Sequence, residues 1–200
     1  LVRLAEAQAV SKDLKAAEQS LRKALEIKPD FLDAQRGLML LMISEKRYAD
    51  AIKIARTVQE QRPKQATGLV LEGEVNAARG DWPAAIAAYR AALQLQPNSE
   101  LAGRLHAAIV RSGKAKEADQ FAGTWMNSHP KDAWFTNYLA ESALAQKDYA
   151  AAEKLYQNVV KLQPESALAL NNLAWVTLQL KKDGALGYAE KANQLVPNQP

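Results

Sequence analysis

Residues 80–97 read GDWPAAIAAYRAALQLQP, a polar turn followed by an alanine-rich run that ends in a proline. An alanine, Ala85, stands twelve residues before Pro97, and the same spacing occurs six times along the 200 residues. Successive prolines are 33 or 34 residues apart. The prolines are Pro29, Pro63, Pro97, Pro130, Pro164 and Pro197, and the alanines are Ala17, Ala51, Ala85, Ala118, Ala152 and Ala185. A period of this length is typical of stacked helical repeats, so the sequence predicts an array rather than one central core.

Each period predicts two helices joined by a short polar turn. Between Leu32 and Pro63, apolar residues recur at helical spacing, stop at a polar turn around Lys46 and Arg47, and resume as a second helical run. The proline ends the second helix because it pushes the preceding residue out of the helical region. The alanine lies early in the second helix, where a small side chain lets two antiparallel helices approach closely.

The predicted fold is therefore an all-α solenoid of about six helix–turn–helix repeats. Gly80 and Gly113 stand in two of the turns, where we expect them to cap the first helix in the left-handed conformation. We expect one domain over residues 1–200, and a chain that is a fragment of a longer protein. The predicted repeats are 1–31 (partial), 32–65, 66–98, 99–132, 133–166 and 167–200.

Composition excludes several classes of site. The sequence has no cysteine, so disulfides, zinc–thiolate sites and thiol nucleophiles are impossible. The net charge of +4 arises in residues 1–65, which carry 13 basic and 9 acidic groups. This bias is mild, whereas nucleic-acid binding proteins present a strongly basic face, so we predict no nucleic-acid partner. No apolar run approaches the length of a membrane span.

Catalytic chemistry has few candidate residues. The two histidines are His106, on the packing side of a first helix, and His129, at the end of a second helix. We expect the first to be buried and the second to cap its helix. The sequence contains no metal-ligand spacing, no nucleophile motif and no glycine-rich phosphate loop, and the lone SGK at residues 112–114 is a helix turn. We predict no enzyme activity, no metal and no cofactor.

The pattern resembles the tetratricopeptide repeat (TPR) family. The residues that carry the resemblance are Gly73, Ala85, Tyr89, Ala92 and Pro97 in the third repeat, Leu139, Ala140, Ala152, Tyr156 and Pro164 in the fifth, and Leu173, Ala174, Ala185, Ala189 and Pro197 in the sixth. Four positions depart from the pattern, Met39, Glu72, His106 and Trp125, and predict altered local packing. The resemblance implies a right-handed solenoid that acts as a non-catalytic scaffold for protein–protein interaction.

A narrower resemblance points to a bacterial setting. The segments 169–175 (ALNNLAW) and 188–192 (YAEKA) are similar to PrsT-type TPR lipoproteins of PEP-CTERM/exosortase systems. That resemblance implies a role in envelope export or exopolysaccharide assembly, and a periplasmic or outer-membrane location. A cytoplasmic location is the alternative.

In the TPR family the first helices line a concave groove that binds a protein or peptide segment. The positions carried over to the last three repeats are Arg104, Arg111, Trp134, Asn137, Tyr138, Glu141, Asn171, Asn172 and Trp175. Arginine, tryptophan and tyrosine dominate interface hot spots, and asparagine can bond an extended backbone. We expect the arginines to meet a carboxylate and the aromatic residues to grip apolar side chains. Since the groove supplies no lysine, we do not expect the carboxylate clamp of chaperone-tail receptors. The same mapping places Asp33, Arg36 and Leu40 in the groove of the second repeat.

Other interpretations of these residues remain open. The tryptophans could be packed between repeats, and the arginines could simply solvate a helix face. The whole array could be a spacer that holds flanking domains, or it could bind carbohydrate through Trp134, Trp175 and the asparagines. No polar capping helix follows Pro197, so Ala185, Leu186, Ala189 and Leu195 would lie open or support end-to-end self-association.

Overall fold

The computed structural model describes residues 1–197, and within them it contains twelve α-helices and no strand. The helices are α1 (Val2–Val10), α2 (Leu14–Ile27), α3 (Leu32–Ser44), α4 (Tyr48–Gln61), α5 (Thr67–Ala78), α6 (Trp82–Leu95), α7 (Ser99–Arg111), α8 (Ala115–Ser128), α9 (Ala133–Ala145), α10 (Tyr149–Leu162), α11 (Ala167–Gln179) and α12 (Ala185–Leu195). They form six consecutive pairs, and each pair lies inside one predicted repeat.

The chain divides into two compact units. The first unit is Leu1–Ala118 and the second is Asp119–Pro200, with the boundary inside α8. In the first unit each helix from α1 to α7 packs against the next one in the chain. In the second unit the same holds from α9 to α12. The single domain stays a prediction.

Each turn between paired helices has a residue with a positive φ angle, and the turn before α12 has a second one, Gly184. Gly80 and Gly113 have φ of 80° and 81°, which confirms their prediction as left-handed caps. Four lysines occupy the equivalent turn positions with φ between 54° and 64°, although a side chain is disfavoured there. These lysines are Lys12, Lys46, Lys147 and Lys181.

The alanines and prolines act as the period predicts. Helices α2, α4, α6, α8, α10 and α12 each end two residues before a repeat proline. The first five of the spaced alanines are buried, which allows the paired helices to approach closely. The sixth, Ala185, is only half-buried. It follows Gly184, which begins α12 in a left-handed conformation without a side-chain cap.

The bulky residues that depart from the repeat pattern are accommodated in the cores. Met39 and His106 are both buried in the first unit, as expected for His106. In the second unit Trp125 is buried, and its indole N–H donates to the Asp132 carboxylate at 2.8 Å. The indole also stacks on His129 with 3.9 Å between ring centroids. His129 lies at the end of α8, where its backbone N–H donates to the Trp125 carbonyl at 2.8 Å.

Candidate functional site

The nine predicted groove residues belong to different compact units. Arg104 and Arg111 lie on α7 in the first unit. The other seven lie on α9 and α11 in the second unit.

Arg104 lies on the predicted helix, but its charge is already engaged. One guanidinium nitrogen is 2.5 Å from the Glu74 carboxylate, and the other is 2.8 Å from the Glu100 carboxylate. The arginine is therefore part of an internal ion-pair cluster. This arrangement gives no support to the prediction that Arg104 binds a carboxylate of a partner.

Arg111 has a different environment. Its guanidinium lies over the indole ring of Trp82, 5.6 Å from the ring centroid, and its residue surface is exposed. This distance is within the range of a cation–π interaction, which orients the side chain without neutralising it. Arg111 is thus charged and exposed, and its contact with a partner's acidic group stays a prediction.

A cleft of the first unit lies beside the first two repeats. It has a volume of about 590 Å³ and is bounded by α1, α2 and α3. Asp33, Arg36 and Leu40, which the repeat mapping had placed in the groove, all line it. The mapping did not extend to Val2 and Glu6, which also line the cleft. The signal was present, because these two residues stand one period of 34 before Arg36 and Leu40.

In the second unit both predicted tryptophans reach solvent. Trp134 is 51% exposed and stacks on Tyr138, with 6.0 Å between ring centroids and an interplanar angle of 6°. Trp175 is 45% exposed and meets the edge of Tyr149 at 5.5 Å. Neither ring is buried between repeats. Each retains about half of its surface for contact with another molecule.

The three asparagines of the second unit differ in their hydrogen bonds. The Asn137 amide donates to the Glu141 carboxylate at 2.8 Å, and the Asn172 amide donates to the Tyr156 hydroxyl at 3.2 Å. Asn171 makes no side-chain hydrogen bond within residues 1–197 and lines a cleft of about 390 Å³ together with Trp175. It is therefore the amide best placed to bond a partner's backbone.

We call the surface formed by Trp134, Tyr138 and Glu141 of α9 and by Asn171, Asn172 and Trp175 of α11 the α9–α11 face. Tyr156 of α10 lies beneath this face and is fully buried. Burial raises the pKa of Tyr156, and the negative charge of Glu141 raises it further. Burial also raises the pKa of Tyr138. Both phenols therefore stay protonated at neutral pH, so they can donate as well as accept a hydrogen bond.

The last helix pair also exposes an apolar surface. Leu186 of α12 is 72% exposed, Ala189 and Leu195 are exposed, and only Ala185 is partly covered. Ala189 stands at the position that Tyr156 fills one repeat earlier, where the side chain is buried. Self-association through this surface stays a prediction.

Within residues 1–197 no group of three or more histidine, cysteine or acidic side chains is arranged to hold a metal ion. No described helix is long and apolar enough to cross a membrane.

Comparison with known families identifies the repeat. Two family models described as tetratricopeptide repeat match the sequence, one over residues 4–69 and the other over residues 45–100 and 138–200. The second model alone covers more than half of the chain. No curated protein matches the sequence.

Solved structures show the same fold. The chain is similar to the C-terminal part of a TPR protein from Cytophaga hutchinsonii, with 18% identity and a TM-score of 0.62 over 98% of this chain and 79% of that one. It is similar to PilF of Pseudomonas aeruginosa, with 19% identity and a TM-score of 0.58 over 99% and 91%. It is also similar to YrrB, described as a TPR protein with an unusual peptide-binding site, with 17% identity and a TM-score of 0.51 over 91% and 95%. At these identities the likeness shows the fold alone, and it confirms the predicted all-α repeat architecture.

Proposed function

The chain belongs to the tetratricopeptide repeat family, and we propose that it is a non-catalytic scaffold that binds an extended segment of another protein on the α9–α11 face. TPR proteins bind proteins or peptides, and they are typically scaffolds rather than enzymes. The observation that carries the proposal is the exposure of Trp134 on α9 and of Trp175 on α11, where Trp175 shares a cleft with the unbonded amide of Asn171. Large half-exposed aromatic rings next to an unsatisfied donor and acceptor are typical of a surface that a partner covers.

The mechanism is docking on a preformed surface. Trp134 is held by its stack on Tyr138, and Trp175 by its edge contact with Tyr149, so both rings are oriented before binding. The partner's apolar side chains pack against these rings, and Asn171 exchanges hydrogen bonds with its backbone. Because the surface needs little ordering, the entropy cost of binding falls mainly on the partner segment.

The test begins with selection of peptides from a random displayed library on the whole chain. Affinities of the enriched peptides are then measured by calorimetry for the wild type, Trp134→Ala and Trp175→Ala. Loss of a hot-spot aromatic typically weakens binding by about 2 kcal/mol, which is roughly 30-fold. The matched control is Leu40→Ala, which removes an exposed apolar side chain from the cleft of the first unit and leaves the α9–α11 face unchanged.

Two results would contradict the proposal. Loss of binding in Leu40→Ala, with both tryptophan variants unaffected, would move the site to the α1–α3 cleft. Failure to enrich any peptide would remove peptide binding as the function. A spacer role or a carbohydrate ligand would then be the better description, and oligosaccharide binding would separate those two.

We further propose an envelope role for the full-length protein, in export or exopolysaccharide assembly. The support is the resemblance of segments 169–175 and 188–192 to TPR lipoproteins of PEP-CTERM/exosortase systems. Fractionation of native cells, with detection by an antibody against this chain, tests the location. Recovery with periplasmic or outer-membrane markers is expected, and recovery with cytosolic markers alone would refute it.

A further inference from the structure

The two compact units contain the same tyrosine-centred arrangement, built on different polar side chains. Tyr89 and Tyr156 occupy one repeat position, since each stands eight residues before its proline. Both tyrosines are buried, Tyr89 between α5 and α7 and Tyr156 between α9 and α11. Each unit also has a glutamate six residues before its positive-φ turn residue, which is Gly80 in the first unit and Lys147 in the second. These glutamates are Glu74 and Glu141.

In the first unit this cluster is neutralised from within. Glu74 is partly buried, and Arg104 of the next first helix reaches it at 2.5 Å. Burial raises the pKa of Tyr89, and the negative charge of Glu74 raises it further. The positive charge of Arg104 partly offsets this rise. The carboxylate, the phenol and the guanidinium thus form a closed set that needs nothing from another molecule.

In the second unit the cation is missing. The position of Arg104, nine residues before the positive-φ turn residue Gly113, corresponds to Asn172, nine residues before Lys181. Asn172 bonds the Tyr156 hydroxyl, but it carries no charge. Within residues 1–197 no basic group lies within ion-pair distance of Glu141, whose carboxylate accepts only the Asn137 amide. Glu141 is also exposed, whereas Glu74 is not.

The side chains around Glu141 are suited to bind a partner side chain that carries a cation at the end of an aliphatic stem. Trp134, Tyr138 and Glu141 follow one another at four and three residues, so they lie along one face of α9. Trp134 and Tyr138 form a stacked pair of rings beside the carboxylate. An aromatic face attracts a cation, and a guanidinium or ammonium ion bonds a carboxylate with charge-assisted hydrogen bonds.

We propose that the α9–α11 face selects a partner segment with an arginine or lysine, whose cation takes at Glu141 the place that Arg104 takes at Glu74. The proposal rests on the proposed function, since it names the chemistry of the segment that this face binds. The sequence alone suggested that the groove binds an acidic group of the partner, whereas this proposal assigns a basic side chain to the α9–α11 face.

The experiment uses the whole chain and the random peptide library. The wild type is expected to enrich peptides with one fixed arginine or lysine. A synthetic peptide from this pool is compared with its analogue in which the basic residue is norleucine. Hydrogen bonds to charged groups contribute strongly to the free energy of binding. Replacing the basic residue by norleucine should therefore weaken binding to the wild type by at least about tenfold. The same change should weaken binding to Glu141→Gln by less than about threefold, because the carboxylate is gone.

Two further variants make the test specific. Asn172→Arg should supply an internal cation to Glu141, as in the first unit, and so compete with the basic peptide. Glu74→Gln is the matched control, since it removes the equivalent carboxylate from the closed cluster. Glu74→Gln should therefore leave the difference between the two peptides unchanged.

The outcomes separate this inference from the proposed function. If peptides bind through Trp134 and Trp175 but show no basic preference, or keep it in Glu141→Gln, the inference is wrong and the proposed function stands. If no peptide is enriched, both are wrong. Equal effects of Glu141→Gln and Glu74→Gln would also overturn the inference, because the selective carboxylate would not be the one on the α9–α11 face.

Discussion

The packing of Tyr89 against Gly73 makes a sharp prediction about stability. A Cβ atom at Gly73 would lie 2.4 Å from Cε1, 2.6 Å from Cδ1 and 2.9 Å from Cζ of the Tyr89 ring. The ring is buried, so either it or helix α5 must move when Gly73 becomes alanine. Overpacking of this kind typically costs about 1–3 kcal/mol. Alanine recovers about 1 kcal/mol of helix propensity, so Gly73→Ala should destabilise by up to about 2 kcal/mol.

Gly123 provides the matched control, because it also lies inside a helix. A Cβ atom there meets no neighbouring group within 4 Å, so Gly123→Ala should not overpack the structure. The higher helix propensity of alanine should then raise the free energy of unfolding by about 1 kcal/mol. The free energy of unfolding is measured by urea titration followed by far-UV circular dichroism. Hydrogen exchange of peptides from α5 and α6 accompanies it, because repeats can open locally.

The two variants should change stability in opposite directions. Tyr89→Leu in the Gly73→Ala background should remove most of the overpacking penalty, and a double-mutant cycle would isolate that coupling. The reasoning is refuted if Gly73→Ala stabilises the protein as much as Gly123→Ala does. It is also refuted if slower exchange in α5 and α6 accompanies Gly73→Ala.

Three further predictions concern the turns, the helix pairs and pH. Lys147→Gly should stabilise the protein by about 1 kcal/mol in thermal unfolding, because Lys147 has a φ of 60°, whereas Lys154→Gly within α10 should destabilise it by a similar amount. Ala152→Leu should overpack the fully buried contact between α9 and α10 and lower the free energy of unfolding by about 1–3 kcal/mol. The Arg47 hydrogen bond lowers the pKa of Glu18 below its ordinary value of 4.5. This pair therefore stabilises the fold above that pH, and the stability difference between the wild type and Glu18→Gln should shrink as the pH falls below it. A difference that grows towards acid would contradict the assignment.

The helix pairs could be predicted because their signals are local. An alanine and a proline at constant separation determine where the second helix packs and where it ends, and neither depends on distant residues. The register placed Trp134 and Trp175 on first helices but left open whether they are exposed or packed between repeats, and the structure shows them about half exposed. The lysines in positive-φ turns were not predictable, because a lysine gives no sequence signal for that conformation and the cost is offset by the surrounding packing.

The pairing of Arg104 could not be predicted from its own helix. Glu100 stands one turn away on the same helix, but Glu74 stands 30 residues away on α5. Whether the two side chains meet depends on how α5, α6 and α7 pack around Tyr89. The cleft beside α1 was missed for a different reason, since the first repeat was treated as incomplete and its positions were not mapped.

A repeat protein offers an internal comparison that a single globular domain lacks. The backbone positions of Glu74, Tyr89 and Arg104 recur as those of Glu141, Tyr156 and Asn172, so the scaffold is held nearly constant while one charge is changed. Where the repeat has an arginine, Arg104, the Glu74 carboxylate is paired within the protein. Where it has asparagine, the carboxylate is exposed beside two stacked rings and is available to a partner. Under the proposed recognition of a basic segment, specificity rests on this departure between equivalent positions, and Asn172→Arg should weaken binding of basic peptides at the α9–α11 face without altering the helices that form that face.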